Sequence, residues 1–209
     1  MKYYKLLTPG PLTTTDTVKK EMLFDHCTWD DDYKKITEDE YTVVLMQGSG
    51  TFGVESVLTS VIGKDDKLLI CANGAYGERM EDIVNHADIP YIIYLEDYDK
   101  IPDAHRVAQI LEDHPEITHV SMVHSETTSG ILNDIKAVSR VAKEHGCTMI
   151  VDAMSSFGGV DIPVGDWGID FLISSANKCI QGVPGFSFII ANKQKLIESK
   201  GKDRSLSLD

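Results

Sequence analysis

Met149-Ile150-Val151-Asp152 and Phe171-Leu172-Ile173-Ser174-Ser175-Ala176-Asn177-Lys178 are the two stretches from which the rest of the chain can be read. Each opens with a short, unbroken apolar run and stops abruptly at polar residues. An apolar run of that length without alternation reads as a strand buried on both faces. Such strands need helices above and below them, and open sheets of this kind bind ligands beyond the carboxyl ends of their strands. Here an aspartate and a lysine stand at those ends.

The same pattern recurs outward from these two stretches. Strands are expected over residues 42–46, 67–72, 91–95, 118–123, 148–151, 171–174 and 186–190, with helical periodicity over 51–62, 76–87, 102–114 and 135–145. Strand and helix therefore alternate, which predicts an α/β fold over residues 41–209: a three-layer sandwich around a mostly parallel seven-stranded sheet. Residues 1–40 read differently. Pro9, Gly10 and Pro11 end an extended arm over 1–13, a helix starts at Thr14 with Val18, Met22 and Leu23 on one side, and a polar loop follows. Its Trp29-Asp30-Asp31-Asp32-Tyr33 run lacks the interleaving and glycine turn of a calcium loop and reads as solvated surface.

Composition narrows the functional classes. The 209 residues are 42% apolar and 25% charged, enough for one well-packed α/β domain. A net charge of −13 argues against nucleic-acid or membrane-surface partners, which call for a basic face. No apolar run approaches the roughly 20 residues of a membrane helix, and Met1-Lys2-Tyr3 does not open a signal peptide, so a cytoplasmic protein is expected. Cys27, Cys71, Cys147 and Cys179 show no metal or redox spacing and read as reduced cysteines, and the histidines do not cluster as ligands.

The loops that leave the strands carry the chemistry. Gly48-Ser49-Gly50-Thr51 follows a strand and opens a helix, an arrangement of amides and hydroxyls that accepts a phosphate, although it also suits a plain helix cap. It is neither a Walker loop nor a dinucleotide fingerprint. Tyr76, between Gly74 and Gly77, has a ring suited to lie on a planar cofactor or simply to pack on the sheet edge. Met154 suits the opposite ring face or the core. Thr127 and Thr128 both offer a donor, and spacing does not choose between them. Asp152 either meets a cation or caps a turn. A lysine whose amine forms an imine, set with a carboxylate that keeps a pyridine nitrogen protonated, is the pair that pyridoxal 5'-phosphate needs.

Taken together, Leu7-Thr8-Pro9-Gly10-Pro11, Gln47 to Thr51 with Glu55, Asn73 to Gly77, His124 to Gly130, Val151 to Ser156 and Ser174 to Lys178 resemble the class V aminotransferases of fold type I. Within that class, Cys27 to Tyr33, Asn177 to Gly182 and Arg204 to Asp209 resemble the branch that acts on a small aminophosphonate, with alanine:glyoxylate or serine:pyruvate transamination as the alternative. The resemblance implies that Lys178 carries the cofactor and moves the substrate proton, and that Asp152 pairs with the pyridinium nitrogen. It assigns the phosphate to Ser49, Gly50 and Thr51 with support from Asn177, ring stacking to Tyr76, and the phenolic oxygen to Thr127. The implied partners are an amino donor, a 2-oxo acid and a second copy of the chain in a homodimer. Members of the family run on well over a hundred residues beyond the equivalent of Asp209 and carry a longer segment at 34–40. The chain is therefore expected to be the large cofactor domain without the small one, and a non-catalytic cofactor-binding remnant is the reading of another class. Arg79, Arg106, Arg140 and Arg204 offer no evident anchor for a phosphonate.

Overall fold

The computed structural model describes residues 40–208. The arm over 1–13, the helix from Thr14, the Trp29–Tyr33 loop, Cys27, most of the 34–40 link and Asp209 lie outside the described residues. In chain order the strands are β1 (Tyr41–Gln47), β2 (Leu68–Ala72), β3 (Tyr91–Leu95), β4 (His119–Val123), β5 (Ser125–Glu126), β6 (Ile131–Leu132), β7 (Thr148–Asp152), β8 (Phe171–Ser175) and β9 (Phe186–Asn192). The helices are α1 (Gly50–Val61), α2 (Ala75–His86), α3 (Ala104–Asp113), α4 (Ile135–Glu144) and α5 (Lys193–Glu198).

One seven-stranded sheet has the spatial order β1-β9-β8-β7-β4-β2-β3, and β5 and β6 form a separate small hairpin. The pairs from β8 through β3 are all parallel, and β9 is antiparallel to both of its neighbours. The expected mostly parallel sheet is thus present, with its single reversal at β9. That reversal matters for the site. Gln47 pairs with Phe186 and Ser175 with Ser187, so β9 begins at the edge where β1 and β8 end.

Side-chain alternation splits the core into two layers. On β2, Leu68, Ile70 and Ala72 pack with Val54, Leu58 and Val84 of α1 and α2. Leu69 and Cys71 face the other way, toward Val107 and Leu111 of α3 and Val138 of α4. Strands β2, β4, β7 and β8 are buried along their whole length, which is why β2 and the centre of β7 read as unbroken apolar runs, while β4 buries His119 and Ser121 as well. Edge strands β1 and β3 are mostly half-buried. Ile150, at 0% exposure in the central β7, illustrates what the core contributes: truncation to Ala there costs about 2–5 kcal/mol. At the opposite end of the sheet, buried Asp170 pairs with Lys143 and accepts the Met149 N–H at 2.7 Å, tying α4 to β7 and β8. Cys71, Cys147 and Cys179 are free thiols.

Helix starts follow ordinary capping chemistry, with one departure. Ser49, Asp103, Asp134 and Asn192 each accept a first-turn N–H of the helix they precede. Helix α2 follows Gly74, which has no side chain to do so. Among the described residues no helix is long and apolar enough to cross a membrane.

Candidate active site at the carboxyl edge of the sheet

A cavity of about 450 Å³ opens where β1, β4, β7 and β8 end and β9 begins. Ser49, Gly50, Thr51, Tyr76, Thr127, Asp152, Met154, Asn177 and Lys178 all line it, and of the two threonines the sequence offered Thr128 does not. A second cavity of about 480 Å³ lies on the α1 side among Val44, Met46, Val57, Phe171, Ile189 and Leu196. Its larger volume does not make it the better candidate: its exposed wall is mainly apolar, with Lys200, Asp203 and serines among the lining residues, and the side chains singled out for chemistry converge in the first.

The phosphate-type turn is built by backbone geometry. Gly48 takes a φ of 150° and donates its N–H to the Gly185 carbonyl at 3.0 Å, which pins the turn to the start of β9. Ser49 then caps α1 weakly, accepting from the Phe52 N–H at 3.4 Å. Helix geometry leaves the first-turn N–H groups of Gly50 and Thr51 without an intrahelical acceptor, so donors and the positive end of the α1 dipole both meet the cavity. A methyl group at Gly50 would run into Met154, which holds the β7 loop against this turn.

Asp152 ends β7 and is buried, as its sequence position implied. It caps its own turn through the Met154 N–H at 2.8 Å, as one of the two sequence readings had it, and it also lines the cavity. Burial pushes its carboxyl up to about 6; the Met154 hydrogen bond opposes this, the Glu126 charge adds to it, and Lys178 lowers it. A buried carboxyl with that little compensation would be held in its charged form by a neighbouring cation.

Lys178 is presented by a tight loop after β8. The Gly182 N–H donates to the Ala176 carbonyl at 2.7 Å, and the Gln181 N–H to the Lys178 carbonyl at 2.8 Å. Gln181 takes a left-handed φ of 60°, and a Cβ at Gly182 would fall 2.9 Å from the Ala176 oxygen. Thr127 shares a 2.9 Å hydrogen bond with Ser155, which separates it from Thr128, whose hydroxyl instead donates to Glu126 at 2.6 Å.

The structure adds three residues that the sequence reading had left without a role. Ser175 lines the cavity, is buried, and its hydroxyl has no hydrogen-bond partner. Arg79 also reaches the lining, its guanidinium carbon 5.8 Å from the centroid of the Tyr76 ring. Its sequence signal was helical spacing: it is three residues past Tyr76, so the two share a helix face. Glu126 is buried at 0% exposure beneath the start of α2.

A family model described as "Aminotransferase class-V" matches residues 33–201. The chain belongs to the class-V aminotransferase family. It is 56% identical to a 2-aminoethylphosphonate–pyruvate transaminase of Lysinibacillus sphaericus, over all of this chain and 61% of that protein. It is 54% identical to a transaminase of the same name from Bacteroides fragilis, over all of this chain and 62% of that one. The chain thus spans about three-fifths of the length of these relatives. Among solved structures it resembles the pyridoxamine–pyruvate aminotransferase of Mesorhizobium loti with a TM-score of 0.86 at 27% identity, covering 96% of this chain and 54% of that one. The sheet and its helices are those of a fold type I aminotransferase, as the sequence motifs had implied.

Proposed function

We propose that the chain forms the cofactor-binding part of a cytoplasmic, homodimeric, pyridoxal-phosphate-dependent transaminase, which transfers the amine of 2-aminoethylphosphonate to pyruvate and yields phosphonoacetaldehyde and L-alanine. The observation that carries this reading is the convergence of Lys178, the underpaired buried carboxyl of Asp152 and the open start of α1 in one cavity. Identity above 50% to relatives named for that reaction supports the choice of substrates.

The donor set fits pyridoxal phosphate. The Gly50 and Thr51 amides and the hydroxyls of Ser49 and Thr51 suit its phosphate, with Asn177 beside them. The orphaned Ser175 hydroxyl is a further donor in want of an acceptor. Asp152 suits a protonated pyridine nitrogen, Tyr76 and Met154 the two faces of a planar ring, and Thr127 a phenolic oxygen. When bound, pyridoxal phosphate supplies the conjugated ring that delocalises the electron pair left on the amino-bearing carbon.

The chain's own residues do the rest. Lys178 Nζ would be the group that holds the cofactor, and its amine, once freed, would be placed to take the proton from the donor's amino-bearing carbon. Asp152 would hold a protonated pyridine nitrogen by charge pairing. With pyruvate as the acceptor of the donor's amine, Lys178 would move a proton in the opposite sense, and pyruvate would leave as alanine.

The test is covalent trapping. Incubation of the purified chain with pyridoxal phosphate, borohydride reduction and peptide mass spectrometry should place the reduced cofactor on Lys178, and Lys178→Ala should abolish both the label and turnover. Label elsewhere, or none, overturns the assignment. Substrate choice is read separately: formation of phosphonoacetaldehyde from 2-aminoethylphosphonate and pyruvate supports it, and amination of glyoxylate without that product overturns it.

A further inference from the structure

Helix α2 begins at the rim of the cavity and carries Tyr76 in its first turn, yet the residue before it is a glycine with no capping side chain. Its orphan N–H groups are met from another part of the chain. Glu126 Oε2 accepts from the backbone N–H of Tyr76 at 3.2 Å and of Gly77 at 3.3 Å. Glu126 Oε1 accepts from the Thr128 N–H at 3.1 Å and the Thr128 hydroxyl at 2.6 Å, and that hydroxyl in turn accepts from the Ala75 N–H at 3.3 Å. All four bonds to the carboxylate are made with Glu126 at 0% exposure. Gly74 completes the fit. A Cβ there would fall 2.5 Å from Glu126 Cδ and 2.6 Å from Thr128 Oγ1, so the missing side chain is the space the carboxylate occupies.

We infer that Glu126 is a positioning residue of the active site, acting as an N-cap supplied from the β4–β7 connection: it fixes the first turn of α2 and with it the plane in which the Tyr76 ring faces the cofactor. The inference rests on the proposed function. A carboxylate is well suited to this task. One carboxylate offers enough lone pairs to accept from several N–H groups at once, and a negative group is favoured at a helix start. Tyr76 itself is 36% exposed, so little packing orders its ring, and the backbone beneath it has to supply the order. Thr128 belongs to this clamp, while Thr127, one residue earlier, is turned to Ser155 and the cavity.

A double-mutant cycle on the purified chain tests this, reading pyridoxal-phosphate affinity and the induced circular dichroism of the bound cofactor. Glu126→Gln keeps the shape but loses acceptors for Thr128. It should weaken cofactor binding about tenfold, the scale of one charge-assisted hydrogen bond, and diminish the induced band. Tyr76→Ala should do the same. The double variant Tyr76→Ala/Glu126→Gln should be no worse than Tyr76→Ala alone, because Glu126 acts through Tyr76. Thr128→Val, which leaves the carboxylate in place, should change the band in the same direction by less. Additive losses in the double variant, or an unchanged band in both Glu126→Gln and Thr128→Val, overturn the inference while leaving the proposed function intact. Failure of the unsubstituted chain to form a reducible adduct at Lys178 is the distinct result that removes the proposed function and this inference with it.

Discussion

Two halves of one cavity differ in how their polar groups are satisfied. On the β2 side, the start of α2 is closed by Glu126, whose carboxylate receives four hydrogen bonds from the chain itself. On the β1, β7 and β8 side, among the described residues, the start of α1 has only a 3.4 Å bond donated to Ser49, Asp152 has one bond from a backbone N–H, and the Ser175 hydroxyl has none. Both halves use helix starts and buried acids. One half answers its own demands, so it is a platform; the other leaves demands open, and it is there that we place a charged ligand. Because buried polar groups without partners are costly, the open half marks binding with more physical force than the shape of the cavity does.

Asp152 is where the contrast predicts the largest effect. Its carboxyl is raised from an ordinary 3.8 to about 6, chiefly by burial. Between these values the folded chain keeps a proton that the unfolded chain has released. Stability without cofactor therefore falls as pH rises from about 4 to about 6 and stays low above that, by about 3 kcal/mol from this group. Asp152→Asn should remove that slope and make the cofactor-free chain more stable than the parent at pH 7, while abolishing transamination. Urea unfolding from pH 4 to 7 decides it; an undiminished slope in the variant assigns the effect to other groups.

Ser49→Asp would give α1 what α2 already has. Aspartate caps a helix at least as well as serine, so the cofactor-free melting temperature should hold or rise. The same carboxylate would confront the phosphate, and cofactor affinity should fall on the order of a hundredfold. Calorimetry of both states tests the opposed signs. Parent-like affinity would mean that the phosphate sits elsewhere.

Gly74→Ala attacks the closed half. Gly74 has an extended φ of 170°, open to any residue, so backbone strain is not the issue. The added methyl displaces Glu126 instead, at a cost of about 1–3 kcal/mol in stability. Cofactor affinity should fall about tenfold, as for the loss of one charge-assisted bond. A variant that melts lower but binds pyridoxal phosphate unchanged would separate the clamp from the site.

The open half was legible in the sequence and the closed half was not, for a physical reason. Asp152 directly follows an apolar run, Ser49 and Lys178 stand within a few residues of one, and the rule that parallel sheets bind at their carboxyl edge gathers them without any knowledge of contacts. The buried strands were equally readable, because Leu68 to Ala72 or Met149 to Val151 has no polar face to hide. Glu126 meets Tyr76 across fifty residues of chain, and nothing in its own neighbourhood of hydroxyls announces burial. The β5–β6 hairpin that carries it has two residues a side, too few for any period to show. The reversal of β9 was hidden for a related cause: Phe186 to Ile190 is apolar in either direction, and only the short Lys178–Gly185 loop, too brief for a parallel crossover, bears on its sense.

Ser175 gives the smallest predicted effect and the cleanest sign. Its hydroxyl is buried with no partner, which costs the cofactor-free chain the desolvation of a group that water would have satisfied. Ser175→Ala should therefore stabilise the cofactor-free chain by about 1 kcal/mol, although most buried substitutions destabilise. If the open half is open for a ligand, the same change should weaken pyridoxal-phosphate binding by a few-fold, since a donor has been removed from the cavity. A variant that is less stable without cofactor would show that the hydroxyl already has its partner, and the division of the cavity into a satisfied and an unsatisfied half would fail at that residue.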